Sequence, residues 1–376
     1  MIVFLLIFFS CCSIYYAGFI LLNGYHFFTM KKIQSPSGNP QPTVTIIIPA
    51  RNEEKYLKNL LLDISNQSYP SEALEVIIVD DYSTDRTAAI ANEFVATHPK
   101  WKIISLEKPQ GKAYKKAAIQ QAIQASSGEI ILTTDADCRM GKEWVSEMMQ
   151  AFTPEVGLVS GPVQMWSNNS WFEQFQALEF IGLIVLGAGS MHRKKPNMCN
   201  GANLAYRRSA FLAVKGFEGI DHIASGDDEL LMHKIFSNTD YKVCFQKSPL
   251  AIVSTAPCIS FKQFVNQRIR WVSKSSHYKN AGITRTMSIV YLSILGIPVT
   301  GIWALFDPSM VNWFFVVLGL KIFSESIVLW LGTRFFKRKS LMWLFLLEQC
   351  LHIPYVLWAG LAGNLKSYAW KDRIIQ

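Results

Sequence analysis

No two cysteines in this chain are spaced as CxxC, and none of the seven falls into a metal-finger pattern. That excludes a zinc-stapled or disulfide-knotted scaffold and leaves buried free thiols as the default for a reducing compartment. His192 and His222 lack metal-ligand spacing as well. The N-terminus has neither a basic start nor a small-residue cleavage site, so residues 1–28 are expected to stay as a membrane anchor rather than leave as a signal peptide. Long apolar runs are missing from the middle of the chain; they concentrate at 1–28 and at 287–363. Half of the residues are hydrophobic, with 24 Phe, 11 Trp and a mean hydropathy of +0.17. The balance describes a multi-pass membrane protein with a globular middle portion.

Lys31 and Lys32 follow the first apolar run directly, which by the positive-inside tendency places the middle portion in the cytoplasm. The net charge of +9 suits a protein lying against anionic lipid and handling a phosphorylated substrate. Nucleic acid is not an expected partner, because the basic residues lie largely beside apolar or aromatic stretches. After a linker rich in Pro, Ser and Gly, buried-strand patterns at 44–48, 74–80 and 130–135 alternate with helical ones at 56–64, 86–94 and 111–123. Such alternation predicts a mainly parallel sheet in an α/β domain, whose ligands bind beyond the carboxyl ends of the strands. Acids gather there: Glu53 after the first strand, Asp80 and Asp81 after the second, Asp135 and Asp137 after the third. Positions two apart on a strand share a face. The Asp135 and Asp137 carboxylates are therefore expected to converge on a hard divalent cation that also holds substrate phosphate.

IIIPARNEE, VDDYSTD, GKAYKK, TTDADC, NGANLAYRR, SGDDELL and QRIRW, in that order, resemble the inverting family-two glycosyltransferases of the GT-A fold. The likeness spans roughly 43–271, and the flanking apolar segments are similar to those of membrane-bound members such as ceramide glucosyltransferases and polysaccharide synthases. The resemblance implies a nucleotide-diphosphate-sugar donor, bound by Ala50, Glu53, Asp80 or Asp81, Lys112, Asp135, Gln267 and Arg270. It further implies Mg²⁺ or Mn²⁺ on Asp137 and Asp135, Trp271 beneath the acceptor, and Asp228 as catalytic base, with Asp227 as the other register. Simpler structural roles compete with these. Asp80 and Asp81 would cap the following helix, and Asp227 and Asp228 would start a helix at 229. Lys115 and Lys116, which with Ala117 stand where the family often carries Ala-Leu-Asn, would be solvated charges if they do not compensate electrostatically for the missing Asn.

The expected organisation is an anchor (1–28), a linker (29–42), the GT-A domain (43–256), interfacial helices bearing QxxRW (257–286) and a C-terminal membrane region (287–376). Within the last, spans are expected at 287–306 and 310–332, with Lys321 and Glu325 neutralising each other; 341–363 reads as a bent or re-entrant segment, or a further span. Residues 172–191 read as an interfacial or buried helix, too short and too interrupted to span alone. The acceptor expected is a membrane lipid or lipid-linked molecule. The alternatives are a processive polysaccharide synthase and, in another class, a catalytically silent donor-binding scaffold.

Overall fold

The computed structural model describes residues 2–34, 41–106, 114–168, 170–278, 280–362, 368–370 and 373–375. In chain order the elements begin with α1 (Ile2–Thr29), β1 (Val44–Ala50), α2 (Leu57–Ser65), β2 (Leu74–Asp80), α3 (Thr87–Val95), β3 (Trp101–Ser105), α4 (Tyr114–Ala125) and β4 (Ile130–Thr133). They continue with β5 (Arg139–Met140), α5 (Trp144–Met149), β6 (Val156–Ser160), β7 (Val163–Met165), α6 (Trp171–His192), β8 (Leu204–Arg207), α7 (Arg208–Ala213), α8 (Glu229–Asn238), β9 (Lys242–Phe245) and β10 (Val253–Thr255). Four helices, α9 (Phe261–Ser273), α10 (Ala281–Ala304), α11 (Val311–Phe335) and α12 (Phe345–Ala362), and a small hairpin, β11 (Tyr368–Trp370) with β12 (Arg373–Ile375), complete the described chain.

VTIIIPA and LEVIIVD are apolar on both faces, and nearly every residue of β1 and β2 is buried. Strands of that kind require cover on both sides and suit a parallel sheet. The seven-stranded sheet runs β3-β2-β1-β4-β8-β6-β9. β1 is parallel to both β2 and β4, while β8 is antiparallel to β4 and β6. Ala50 pairs with Asp80 and Ile47 with Thr133, so the carboxyl ends of β2, β1 and β4 open onto one rim. A second sheet, β5-β10-β7, brings residues 137–140 against 253–255 at that rim.

Among the described residues, five helices are long and apolar enough to cross a membrane: those at Leu5–Thr29, Trp171–His192, Ala281–Ala304, Pro308–Phe335 and Lys339–Ala362. α6 is the helix expected, but at 22 residues it is long and apolar enough to cross a membrane, where the sequence reading made its apolar part too short and too interrupted to span alone. Its burial agrees with expectation: 78 % of its apolar window lies inside the protein. α12 is continuous through Pro354. Glycines set the approach of three of these helices. A Cβ on Gly24 of α1 would lie 2.7 Å from Val328 of α11, one on Gly332 of α11 would lie 2.5 Å from Ile181 of α6, and one on Gly189 of α6 would lie 2.2 Å from the Asn23 carbonyl of α1. Each helix of the trio thus presents a small residue to the next, which lets backbones approach where apolar burial alone gives no preference among neighbours.

The sheet domain is fastened to the end of α1. Lys247 Nζ donates to the carbonyls of Phe27 and Met30 at 2.5 and 3.1 Å, placing a cation on the last unsatisfied carbonyls of the helix. Gln246 bonds both backbone atoms of Ile33, and Lys32 pairs with Glu147 at 2.8 Å. The helix crossing yields a first prediction. Gly189→Leu drives a side chain into the α1 backbone and should cost about 1–3 kcal/mol or more, read as a lower thermal midpoint in detergent, whereas Gly18→Leu, with nothing within 4 Å, should be neutral. Equal midpoints for the two variants would contradict the α1–α6 crossing.

Candidate active site

The loops leaving β1 and β2 are knitted into one surface. Arg51 Nη1 donates to the carbonyls of Asp81 and Tyr82 at 2.7 and 3.0 Å. The Asn52 amide reaches Ser83 Oγ, and Asn52 Oδ1 accepts from Thr84 N–H at 2.9 Å. Asn52 and Tyr82 both take positive φ, the tight geometry that turns these loops away from their strands. Asp80 and Asp81 are buried at the strand end. Neither caps α3, since Asp85 accepts from Thr87 N–H at 2.9 Å; the capping role considered for the acid pair belongs to Asp85. The Glu53 amide is held by Thr87 Oγ1 at 2.7 Å, which fixes Glu53 at the same rim, three residues beyond Ala50. Lys112 lies outside the described residues.

Asp135 and Asp137 are not on a strand. β4 ends at Thr133, and the acids occupy a turn closed by a bond from Cys138 N–H to the Asp135 carbonyl at 3.1 Å. Strand alternation is therefore not what places them together. The turn is braced instead by a two-bond contact of Arg139 with Asp63 at 2.5 and 2.9 Å and by Thr255 Oγ1 donating to Asp137 Oδ1 at 3.3 Å. Both carboxylates remain partly accessible.

Opposite them stands the loop that enters α8. Gly226, at φ 80°, turns the chain into Asp227 and Asp228. The Asp228 carboxylate accepts from the N–H groups of Glu229 at 2.7 Å and Gly201 at 3.0 Å. It does start α8, and it also holds the Gly201 turn. Thr133 Oγ1 at the end of β4 donates to the Gly201 carbonyl at 3.0 Å, joining the two acidic turns. Lys115 completes the junction, with Nζ 2.7 Å from Asp135 and 3.1 Å from Asp227. Burial would lower the Lys115 ammonium, but Asp135 and Asp227 outweigh it and raise it above its ordinary value. Lys274 plays the same part beyond α8, 2.9 Å from Glu229 and 3.9 Å from Asp228. Burial pushes the Asp228 carboxyl up, yet Lys274, Lys115 and the two N–H donors hold it below the usual carboxylate range.

Lys116 overturns the solvated reading most plainly. It is only 2 % exposed, and its Nζ donates to the carbonyls of Ile220, Ile223 and Ser225 at 2.9, 2.6 and 2.7 Å. Three N–H donors meet three carbonyls of the loop that carries Asp227 and Asp228. Burial pulls this ammonium down to about 8, against the opposing fields of Asp227 and Asp228.

The QRIRW segment lies on α9. The arginine at its centre, which the motif reading passed over, is the buried one: Arg268 makes a two-bond pair with Glu179 of α6, donates to Gln267 Oε1, and lies 4.2 Å above the Trp271 ring. One face of Trp271 is thereby covered, and its ring also meets Phe180. Gln267, Arg270 and Trp271 are half-buried. Thr255, on the strand that leads into α9, bonds Asp137 at 3.3 Å, so the start of α9 and the Asp135–Asp137 turn border the same region. Lys115 and Lys116 lie against the acids and the loop instead of being solvated, while Lys274 and Arg268 escaped the sequence reading. The signal for Lys274 was the run of three acids at 227–229, and that for Arg268 was Glu179, a lone acid in an apolar run.

An acid-rimmed parallel sheet with an antiparallel strand beside β4 defines a GT-A nucleotide-sugar fold. The chain belongs to the glycosyl transferase family group 2, whose profile matches residues 130–361, and the glycosyl transferase family 2 profile matches 45–214. An N-acetylglucosaminyltransferase of Rhizobium meliloti is 32 % identical over 62 % of this chain and 55 % of its own. A beta-monoglucosyldiacylglycerol synthase of Nostoc sp. is 28 % identical over 51 % of this chain and 45 % of its own. The chain spans about half the length of the curated relatives it matches. In fold, it is similar to a mannosyltransferase of Pyrobaculum calidifontis solved with GDP-Man and Mn²⁺, with a TM-score of 0.58, 20 % identity, and coverage of 94 % of this chain and 99 % of that one.

A second prediction concerns the loop. Lys116→Met removes the donor from three buried carbonyls, each loss costing about 1–3 kcal/mol. Amide hydrogen exchange over 225–229 should quicken by at least about tenfold, since 1.4 kcal/mol corresponds to a factor of ten. Unchanged exchange would show that Lys116 does not hold the loop.

Proposed function

We propose that this chain transfers a sugar from a nucleotide-diphosphate donor to a hydroxyl of a membrane lipid or lipid-linked acceptor, with inversion, at the cytoplasmic face. The observation that carries the reading is the pair of acidic turns held apart and facing each other across Lys115, at 2.7 Å from Asp135 and 3.1 Å from Asp227. An inverting transfer needs one set of groups for the leaving diphosphate and a lone carboxylate from another segment for the attacking hydroxyl.

On this reading Ala50, Glu53 and Asp81, with Asp80 beside it, line the nucleoside end, while Lys112, Gln267 and Arg270 serve the diphosphate. Arg suits that task because its planar fork bonds two oxygens at once. Asp137 and Asp135 offer only hard oxygen ligands, the donor set that fits Mg²⁺ or Mn²⁺. When bound, such an ion neutralises charge on the departing diphosphate. The Mn²⁺ and GDP-Man in the mannosyltransferase of like fold are consistent with this assignment. Asp228 takes the acceptor proton and Trp271 borders the acceptor. Support for a lipid acceptor comes from the five helices, among the described residues, that are long and apolar enough to cross a membrane and from the relative in Nostoc sp., a beta-monoglucosyldiacylglycerol synthase.

Membranes containing the protein should move label from one member of a panel of nucleotide sugars into the lipid extract, with metal and not with chelator. Label in long polymer would favour a polysaccharide synthase, and no transfer from any donor would favour a silent scaffold. Asp228→Asn should keep nucleotide binding and lose transfer by about 10²- to 10⁴-fold, the usual contribution of a base. If Asp228→Asn is fully active and Asp227→Asn is dead, the register shifts by one; if both are active, the base lies elsewhere. The pH dependence has a definite sign. A carboxyl held below the ordinary Asp value of about 3.9 is ionised throughout the neutral range. The stability it contributes is full above that value and is lost as pH falls through its lower folded one. The Asp228 limb of kcat/KM should accordingly fall only below about pH 4.

A further inference from the structure

The helix bundle holds a group of ionisable side chains that the transfer reaction does not use. Lys321 Nζ lies 2.8 Å from Glu325 on the same helix, as expected, but the pair is not isolated. Tyr16 of α1 donates to Glu325 Oε1. Gln349 Nε2 donates to Glu325 Oε2 at 2.6 Å and to Glu348 Oε2 at 2.7 Å. Glu179, already paired with Arg268, also accepts from Tyr355 of α12.

The charges do not balance. Lys321 and Arg268 face three carboxylates, Glu179, Glu325 and Glu348. Glu348 is only 2 % exposed and has no cationic partner among the described residues. A carboxylate without a counter-charge among apolar helices is costly, so Glu348 must either take a proton or share a cation. Beside it, His352 Nδ1 is buried without a hydrogen-bond partner. Glu348 and His352 stand one helical turn apart on α12 and face one side. Glu325 approaches from α11, and the three offer ligand atoms all within 4.8 Å of one another. They line a cavity of about 80 Å³, together with Tyr16 and Glu179. That is room for an ion and a water, since one water needs only about 10–15 Å³ of such space.

We infer that Glu325, Glu348 and His352 form a second cation site, inside the helix bundle and separate from the Asp135–Asp137 turn, for a divalent transition ion of the Zn²⁺ or Mn²⁺ class. Mixed imidazole and carboxylate ligands suit these ions better than Mg²⁺ or Ca²⁺. The surrounding contacts are those a ligating carboxylate needs, because Tyr16, Lys321 and Gln349 fix the orientation of Glu325 and Glu348. An ion here joins α11 to α12 and stands behind the Glu179–Arg268 pair that seats the QRIRW helix.

The full chain in detergent, stripped with chelator, loaded with Zn²⁺ or Mn²⁺ alone and desalted, tests the site by elemental analysis. Asp137→Ala, which lacks the proposed donor metal ligand but keeps the bundle intact, should retain about one ion per chain. Added to Asp137→Ala, Glu348→Gln or His352→Gln should abolish that retention. The inference is overturned if Asp137→Ala retains neither ion, an outcome that does not depend on how the bundle variants fold. It is equally overturned if the Glu348→Gln and His352→Gln forms hold as much metal as their parent. Sugar transfer is not read in this experiment, so its failure leaves the proposed function untouched, and failure of the transfer assay leaves the metal content unaffected.

Discussion

Carboxylates cannot be gathered into a half-buried rim unless positive charge stands between them, and the organisation of this site follows from that constraint. Asp135 and Asp227 come from turns almost a hundred residues apart and meet across one ammonium, Lys115. Asp228 and Glu229 are met by Lys274, which arrives on the segment following α9. Lys116 turns the other way and holds the loop itself through three carbonyls. Neighbouring lysines on α4 therefore do different work, one balancing the acids and the other fixing the backbone that presents them. A bound donor would bring its own charges to this rim, and Lys115 is the group whose contacts must then be shared.

The helix bundle is tied to the site by the same logic. α9 carries QRIRW and is anchored by the buried Arg268 of that motif, paired with Glu179 of α6. α6 in turn crosses α1 and α11 through glycine contacts, and Lys247 fastens the sheet domain to the last carbonyls of α1. The position of α9 over the rim is thus determined by helix crossings in the apolar layer. A change in that layer has a direct route to the site through one buried ion pair.

Much of this was legible in the sequence because the runs at 44–50 and 74–80 are apolar on both faces, which only a covered parallel strand explains, and because acids end them. The alternation of strands and helices, the helix at 229, and the Lys321–Glu325 pair were readable for similar reasons. The lysines were not. A lysine on a helix face looks the same in sequence whether solvent or a loop lies over it, and Lys116 is covered by residues 220–225, about a hundred positions away. Strand alternation also misplaced the local geometry of Asp135 and Asp137, since β4 stops at Thr133 and a turn braced by Arg139 and Asp63 does the placing. The three-and-four spacing on α9 drew attention to Gln267, Arg270 and Trp271, whereas the buried contact falls to Arg268. The signal for it was Glu179, a lone acid in an apolar run that needed a cation.

The central claim is that diphosphate and acceptor meet from opposite sides of the sugar, with the carboxylate at 228 facing the acceptor. The most direct test is the anomeric configuration of the product, determined by NMR on glycolipid made from a donor of known configuration. The account predicts inversion, a β-linked product from an α-linked donor. An α-linked product from that donor would mean that attack came from the leaving-group side or through a covalent intermediate, and the division of roles between the two acidic turns would be wrong.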